Sequence, residues 1–223
     1  MSSALHPHPC NIDYIVCMKH FKILLTSLVI LLLTALISAN HAQEITEPLV
    51  YGGLSISEAA PPVNGTSLRG KSISWVEKLE QGPVVVIFFR GTWCPYCSRY
   101  LNQIDNKLKE ENLNASVIAL APQYPEFSRE DVKDEEYTFD VIYDEGLFYM
   151  KAYKAVSKTS SMQDYAKKKP EWLEQHESTT LPVPATFIIN QQGIITARHF
   201  DEDYKERMEI DQLISKLKKL ADR

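Results

Sequence analysis

Val84-Val85-Val86-Ile87-Phe88-Phe89 is an unbroken apolar run, and it leads directly into Arg90-Gly91-Thr92-Trp93-Cys94-Pro95-Tyr96-Cys97. A short run of this kind, with Gly82-Pro83 before it and Gly91 just after it, is the pattern of a strand buried on both faces. Pro95 suits the first position of a helix, where its missing N–H would be unbonded anyway, and this makes Cys94 the N-cap. Tyr100, Leu101, Ile104 and Leu108 then recur at helical spacing, while Asn102, Asp105, Lys107 and Lys109 fill the other face. Cys94 is therefore expected among free N–H groups at the positive end of a helix dipole, which favours a thiolate, with the Cys97 N–H as a donor to its sulfur. A nucleophilic thiolate with a second thiol one turn later can close an internal disulfide, so a redox site is the leading reading of the pair.

The chain has 223 residues, 44% hydrophobic and 24% charged, enough for one soluble core, and its formal net charge of -5 argues against a nucleic-acid partner. The exception in pattern is the apolar segment from Ile23 to Ala39, preceded by Lys19 and Lys22 and followed by the small-residue site Asn40-His41-Ala42. It reads as a signal peptide. Residues 1–17 are expected to be a non-structural extension, 18–42 the signal peptide or an uncleaved membrane anchor, and 43–223 one exported domain in a periplasmic or other extracytoplasmic space. Cleavage would also remove Cys10 and Cys17, leaving only Cys94 and Cys97. One close pair is not a disulfide framework, and its loop is too short to stabilise much. Zinc needs four ligands, and neither His176 nor His199 has a partner at ligand spacing, so no metal is expected.

Along the rest of the chain, Ser74 to Leu79 predicts a short helix and Ser116 to Ala121 a second buried strand ended by Pro122. Phe139 to Tyr143 predicts a short strand and Leu147 to Tyr153 a helix. The polar stretch from Ser157 to Thr180 reads as a helical insertion. Ala185 to Asn190, the turn Gln191-Gln192-Gly193 and Ile194 to Thr196 read as a β-hairpin, and Tyr204 to Leu220 as a closing helix. Strands alternating with helices make an α/β sandwich.

With those elements in place, the chain resembles the thioredoxin-like superfamily and, within it, the peroxiredoxin-like branch of the alkyl hydroperoxide reductase / thiol-specific antioxidant (AhpC/TSA) family. The resemblance rests on Phe89 to Cys97, on Leu181-Pro182-Val183-Pro184-Ala185-Thr186-Phe187-Ile188-Ile189-Asn190, and on Asp201-Glu202-Asp203-Tyr204-Lys205-Glu206-Arg207. It implies a thioredoxin-like fold, a central mixed β-sheet flanked by helices, with a redox-active dithiol and no added cofactor. It also implies a cis bond at Pro184, packed against the disulfide. Typical members of the peroxidase branch resemble Thr-x-x-Cys where this chain has Cys94, and carry an Arg where it has Pro184. Both positions are of the disulfide-exchange type, with Arg90 or Arg99 left as the donor a peroxidase would need. The carboxylate often found six residues before the first cysteine is replaced by Phe88.

The expectation is a thiol–disulfide oxidoreductase in which Cys94 attacks and Cys97 resolves. Arg90, Thr92, Trp93, Pro95, Tyr96, Val183 and Pro184 form its supporting and substrate-binding set. Trp93 and Tyr96 read as an apolar rim. Arg90 either lowers the thiol pKa or pairs with a carboxylate, and Asp201-Glu202-Asp203 reads as a solvated turn. The implied partners are protein dithiols or disulfides and a thiol electron donor or acceptor. A thiol peroxidase and a non-enzymatic binding module with an inert disulfide are the alternatives.

Overall fold

The computed structural model describes residues 51–134 and 137–221, so the N-terminal extension, the apolar segment and its cleavage site lie outside the described residues. The chain opens with a small antiparallel ladder of β1 (Gly65–Thr66) and β2 (Ser72–Ile73). Helix α1 (Trp75–Gln81) follows, capped by the Ser74 hydroxyl, which accepts from the Glu77 N–H. Next come β3 (Val84–Phe88), α2 (Pro95–Glu111), β4 (Ser116–Ala121), α3 (Pro125–Asp134) and β5 (Asp140–Tyr143). After the short α4 (Phe148–Ala152) come β6 (Val156–Ser161), α5 (Met162–Ala166), a 3-10 turn at Pro170–Gln175 and β7 (Thr180–Pro182). Strands β8 (Thr186–Ile189) and β9 (Ile195–His199) and helix α6 (Ile210–Ala221) complete it.

The main sheet is mixed, with strand order β5-β4-β3-β8-β9: β3, β4 and β5 run parallel, while β8 lies antiparallel to β3 and β9 to β8. Strand β3 is central and buried at every residue, which is why it carries no polar alternation. Its side chains divide by the two-residue period of a strand. Val85, Ile87 and Phe89 face a core built with Tyr100, Leu101 and Ile104 of α2 and Leu213, Ile214 and Leu217 of α6. Val84, Val86 and Phe88 face a second core with Trp75, Met150, Tyr153 and Phe187. Helices therefore cover both faces, and the cysteines belong to the α2–α6 side.

Two segments differ from their sequence patterns. The 157–180 stretch is only partly the expected helical insertion: β6 pairs antiparallel with β7, and the connection between them holds the five-residue helix α5 and the 3-10 segment Pro170–Gln175. The ladder is held at its base by buried Val156 and Leu181, whereas the Lys167-Lys168-Lys169 run has no apolar stripe to dock a long helix. The closing helix starts at Ile210 rather than Tyr204. The Asp201 carboxylate accepts the Asp203 N–H at 2.8 Å and the Asp203 carboxylate the Lys205 N–H at 3.0 Å. These local bonds hold a turn that competes with helix. Residues 200–209 thus form an irregular strap between β9 and α6.

Candidate active site

The first half of the site is backbone. Cys94 is extended, φ -91 and ψ 108, and Pro95 is the first helical residue, so the peptide passes from strand to helix at the sulfur. Cys94 and Cys97 are free thiols with their sulfurs 2.8 Å apart, 0% and 1% exposed. The Cys97 N–H donates to the Cys94 carbonyl oxygen at 2.9 Å and also acts on the Cys94 sulfur, though more weakly than the side chains do. The stronger donors are the Cys97 thiol and Arg90.

Arg90 lies between the end of β3 and α2, and its Nη2 is 2.9 Å from Cys94 Sγ. It is 2% exposed, and among the described residues no carboxylate lies within ion-pair distance of it. Three aromatic rings enclose the guanidinium: Tyr204 at 3.8 Å from the ring centre, Tyr165 at 4.8 Å and Trp93 at 5.2 Å. The Tyr165 hydroxyl also accepts a hydrogen bond from Nη1. Of the two roles open to Arg90, the structure shows contact with the thiol. The Cys97 thiol as hydrogen-bond donor and the charge and N–H of Arg90 hold the Cys94 thiol down at about 5, against the opposing effect of burial. Burial first, and then the neighbouring Cys94, push the Cys97 thiol well above the ordinary cysteine value. At neutral pH the pair is one thiolate beside one thiol.

The loop that presents this pair is braced by side chains from the β6–β7 arm and the loop after β4. Gln123 Oε1 accepts from the Thr92 N–H at 2.7 Å and its hydroxyl at 3.0 Å, and Gln123 Nε2 donates to Gln175 Oε1 at 2.9 Å. Trp93 packs on Trp172 with ring centres 4.8 Å apart and on Tyr165 at 5.3 Å. Its indole N–H points at His176 Nε2, 3.2 Å away. His176 Nδ1 is 3.1 Å from the Trp172 carbonyl oxygen. Neutral, with the proton on Nδ1, the ring satisfies both; burial holds its pKa below the ordinary value and favours that form. Gly91, φ +145, is required here: a Cβ on it would lie 2.4 Å from Trp93 Nε1 and 2.8 Å from Gln123 Oε1.

Tyr96 is 38% exposed and meets Tyr204 edge-on, ring centres 5.7 Å apart. Arg99 lies over Tyr96 rather than against a sulfur. Phe88 occupies the carboxylate position and packs with Tyr153 and Phe187 on the face of the sheet opposite the cysteines. The other charged contact of the dithiol comes from the strap: Arg207 Nη2 lies 3.6 Å from Cys97 Sγ.

The Val183–Pro184 region departs from expectation. No peptide bond among the described residues is cis. The chain reverses instead through a three-residue turn on Pro184, the Ala185 N–H donating to the Val183 carbonyl at 2.7 Å, a geometry that suits the fixed φ of proline. The Val183 N–H is also taken, by the Ala155 carbonyl at 2.8 Å, and Val183 is 0% exposed. Val183 therefore presents no free backbone edge. Sequence reasoning gave no role to Gln123, Tyr165, Trp172, His176, Tyr204 or Arg207; the signals were aromatic residues in otherwise polar segments and, for Tyr204 and Arg207, their place in the family-like segment Asp201 to Arg207.

Three comparisons bear on this geometry. The model of the AhpC/TSA family matches residues 56–198. A thiol-disulfide oxidoreductase, ResA, from Bacillus cereus is 26% identical over 160 residues, covering 70% of this chain and 76% of the relative. A peroxiredoxin-like protein from Aquifex aeolicus superposes with a TM-score of 0.60 at 15% identity, covering 77% of this chain and 91% of that one. Peroxidoxin BcpB from Mycobacterium tuberculosis does so with a TM-score of 0.57 at 13% identity, covering 76% and 97%. The two structures share the thioredoxin-like fold, with its central mixed sheet and flanking helices. Since the family match takes in β3, the cysteines, Pro184 and the β8–β9 hairpin, the chain belongs to the AhpC/TSA family.

Proposed function

We propose that the protein is a thiol–disulfide oxidoreductase acting on disulfides of other proteins. The observation that carries the reading is the asymmetric pair: a Cys94 thiolate held by Arg90, with the protonated Cys97 sulfur 2.8 Å away. The Cys94 thiolate attacks one sulfur of a substrate disulfide, forming a mixed disulfide and releasing the other sulfur as a thiolate. Cys97, having given its proton to solvent, attacks Cys94, closes the internal disulfide and frees the second substrate sulfur. The reverse sequence oxidises a substrate dithiol. Trp93, Thr92 and Pro95 hold the loop, and Tyr96 offers an exposed ring to a partner. The name of the Bacillus cereus relative supports exchange. Export belongs to the same proposal and rests on the Lys-flanked apolar segment Ile23 to Ala39 and its small-residue cleavage site.

A second reading, reduction of a small hydroperoxide, is favoured by one observation. Cys94 is fully covered, and the buried Nε of Arg90 has no partner, leaving a donor beside the thiolate that a small oxidant could use. Cys94 would then become a sulfenic acid and Cys97 would condense with it, losing water. Stopped-flow oxidation by hydrogen peroxide, run beside reduction of a protein disulfide, separates the two. Fast exchange with a peroxide rate constant near that of a free thiolate supports the first; the opposite pattern replaces it with the second.

A further inference from the structure

Resolution of a mixed disulfide needs Cys97 as a thiolate, yet the fold makes that ion expensive. Cys97 is 1% exposed, and the position that could carry a buried acid holds Phe88, which faces the other core. Among the described residues, the groups that act on Cys97 are the Cys94 sulfur, the main chain and, from further off, the guanidinium charge of Arg90, and the Arg207 guanidinium. Tyr100, whose hydroxyl is 3.5 Å from the Thr186 hydroxyl, lies beneath the same guanidinium, ring centre 5.9 Å from it, with Glu209 acting on the ring from the strap side. Arg207 is the only one of these groups that brings a full positive charge to Cys97 from outside the loop carrying the cysteines. Its Nη1 donates to the carbonyl oxygens of Tyr204 and Glu206, which aims Nη2 at the sulfur. Arg207 also lines, with Tyr96, Arg99 and Tyr100, a cleft of about 300 Å³, so its guanidinium stands between the buried sulfur and open solvent.

We propose that Arg207 is the positioning residue that makes Cys97 competent to resolve, its guanidinium stabilising the Cys97 thiolate in place of a buried general base. The proposal deepens the exchange reading and rests on Cys94 as the attacking and Cys97 as the resolving sulfur. In the step concerned, Cys97–SH gives its proton to solvent, and the thiolate attacks Cys94 Sγ of the mixed disulfide. The Cys94–Cys97 bond forms as the Cys94–substrate bond breaks, and the electron pair leaves on the substrate sulfur. Arg207 is neither oxidised nor protonated differently; it stabilises the charge as it develops. Because the strap also supplies Tyr204 to the cage around Arg90, the same segment covers the attacking sulfur and charges the resolving one.

The test uses the full chain, reduced, with the neutral probe 4,4′-dithiodipyridine, whose two thiopyridone units are released one per attack. The first absorbance step reports Cys94, the second Cys97. Arg207→Gln is expected to slow the second step about tenfold at neutral pH and to move its pH profile upward, leaving the first step within about twofold. Arg207→Lys, which keeps the charge and loses the carbonyl fork, is expected to recover most of the rate. Should the Gln variant fail to fold, Arg207→Met takes its place, and the midpoint of Cys97 alkylation in a Cys94→Ser background reads the same charge directly. A second step unchanged in the neutral variant, or a Lys variant as slow as the neutral one, overturns the proposal. A fast first step that survives Cys94→Ser overturns the exchange assignment instead, so the two failures are distinct.

Discussion

Arg90 Nη2 lies 2.9 Å from Cys94 Sγ, and that thiolate is the anion the buried guanidinium meets among the described residues. The contact therefore belongs to the reduced protein. Closing a disulfide removes the negative charge and leaves the cation among Tyr204, Tyr165 and Trp93. Charge stabilisation that exists only in the dithiol form raises the reduction potential of the pair.

Alkylation of the reduced protein by iodoacetamide should show a Cys94 midpoint near 5, and Arg90→Met should raise it by at least one pH unit. The same substitution should make the equilibrium potential more negative, by about 30 mV for each ~1.4 kcal/mol of lost thiolate stabilisation. A glutathione buffer series measures the second quantity. An unmoved midpoint would mean that the Cys97 thiol alone acidifies Cys94.

Cys97→Ser should accumulate mixed disulfides with partner proteins, because the sulfur that releases them is gone, whereas Cys94→Ser should accumulate far fewer. Non-reducing gels of affinity-captured protein give the comparison, and equal trapping by the two variants would reverse the assigned roles.

His176 should make the site acid-sensitive. Its folded pKa lies below the ordinary 6.5, so below pH 6.5 the unfolded chain binds more protons than the folded one, and stability falls as pH falls through that value. Protonation also turns Nε2 into a donor toward the Arg90 carbonyl, 3.1 Å away, and removes the acceptor of the Trp93 N–H. His199 shifts in the same direction, so the informative quantity is the difference between wild type and His176→Gln. Urea midpoints at pH 5 and 7 should fall further apart in the wild type, with a matching change in tryptophan fluorescence.

Gly91→Ala should cost about 1–3 kcal/mol of stability, since the added Cβ meets Trp93 and Gln123 and the φ of +145 is outside the range an L side chain adopts comfortably. Denaturant unfolding gives the loss. Trp93 must shift to admit the methyl group, so exchange should slow as well, even though Cys94 is untouched.

The sheet was legible because its strands are written locally. Val84 to Phe88 and Val117 to Ala121 are apolar at every position, the pattern of a short strand buried on both faces, and Pro95 marks the first residue of α2 by its own covalent geometry. Cys94 and Cys97 were legible for the same reason: one helical turn brings their sulfurs together wherever the rest of the chain goes. What surrounds them was decided by tertiary structure. Arg90 is four residues from Cys94, but its cage comes from Tyr165 and Tyr204, and Arg207 reaches Cys97 across 110 residues of chain. Those residues sit in the β6–β7 arm and the strap, where turns made by Asp201 and Asp203 replace the periodic patterns that announce an element. The trans, fully bonded backbone at Val183–Pro184 was not legible for a related reason. Its N–H and carbonyl are claimed by Ala155 and Ala185, and whether a backbone group is free depends on which strand lies beside it. The local chain thus determined where a close thiol pair would stand; only the packing of distant segments decided which charges it would feel and how it would be covered.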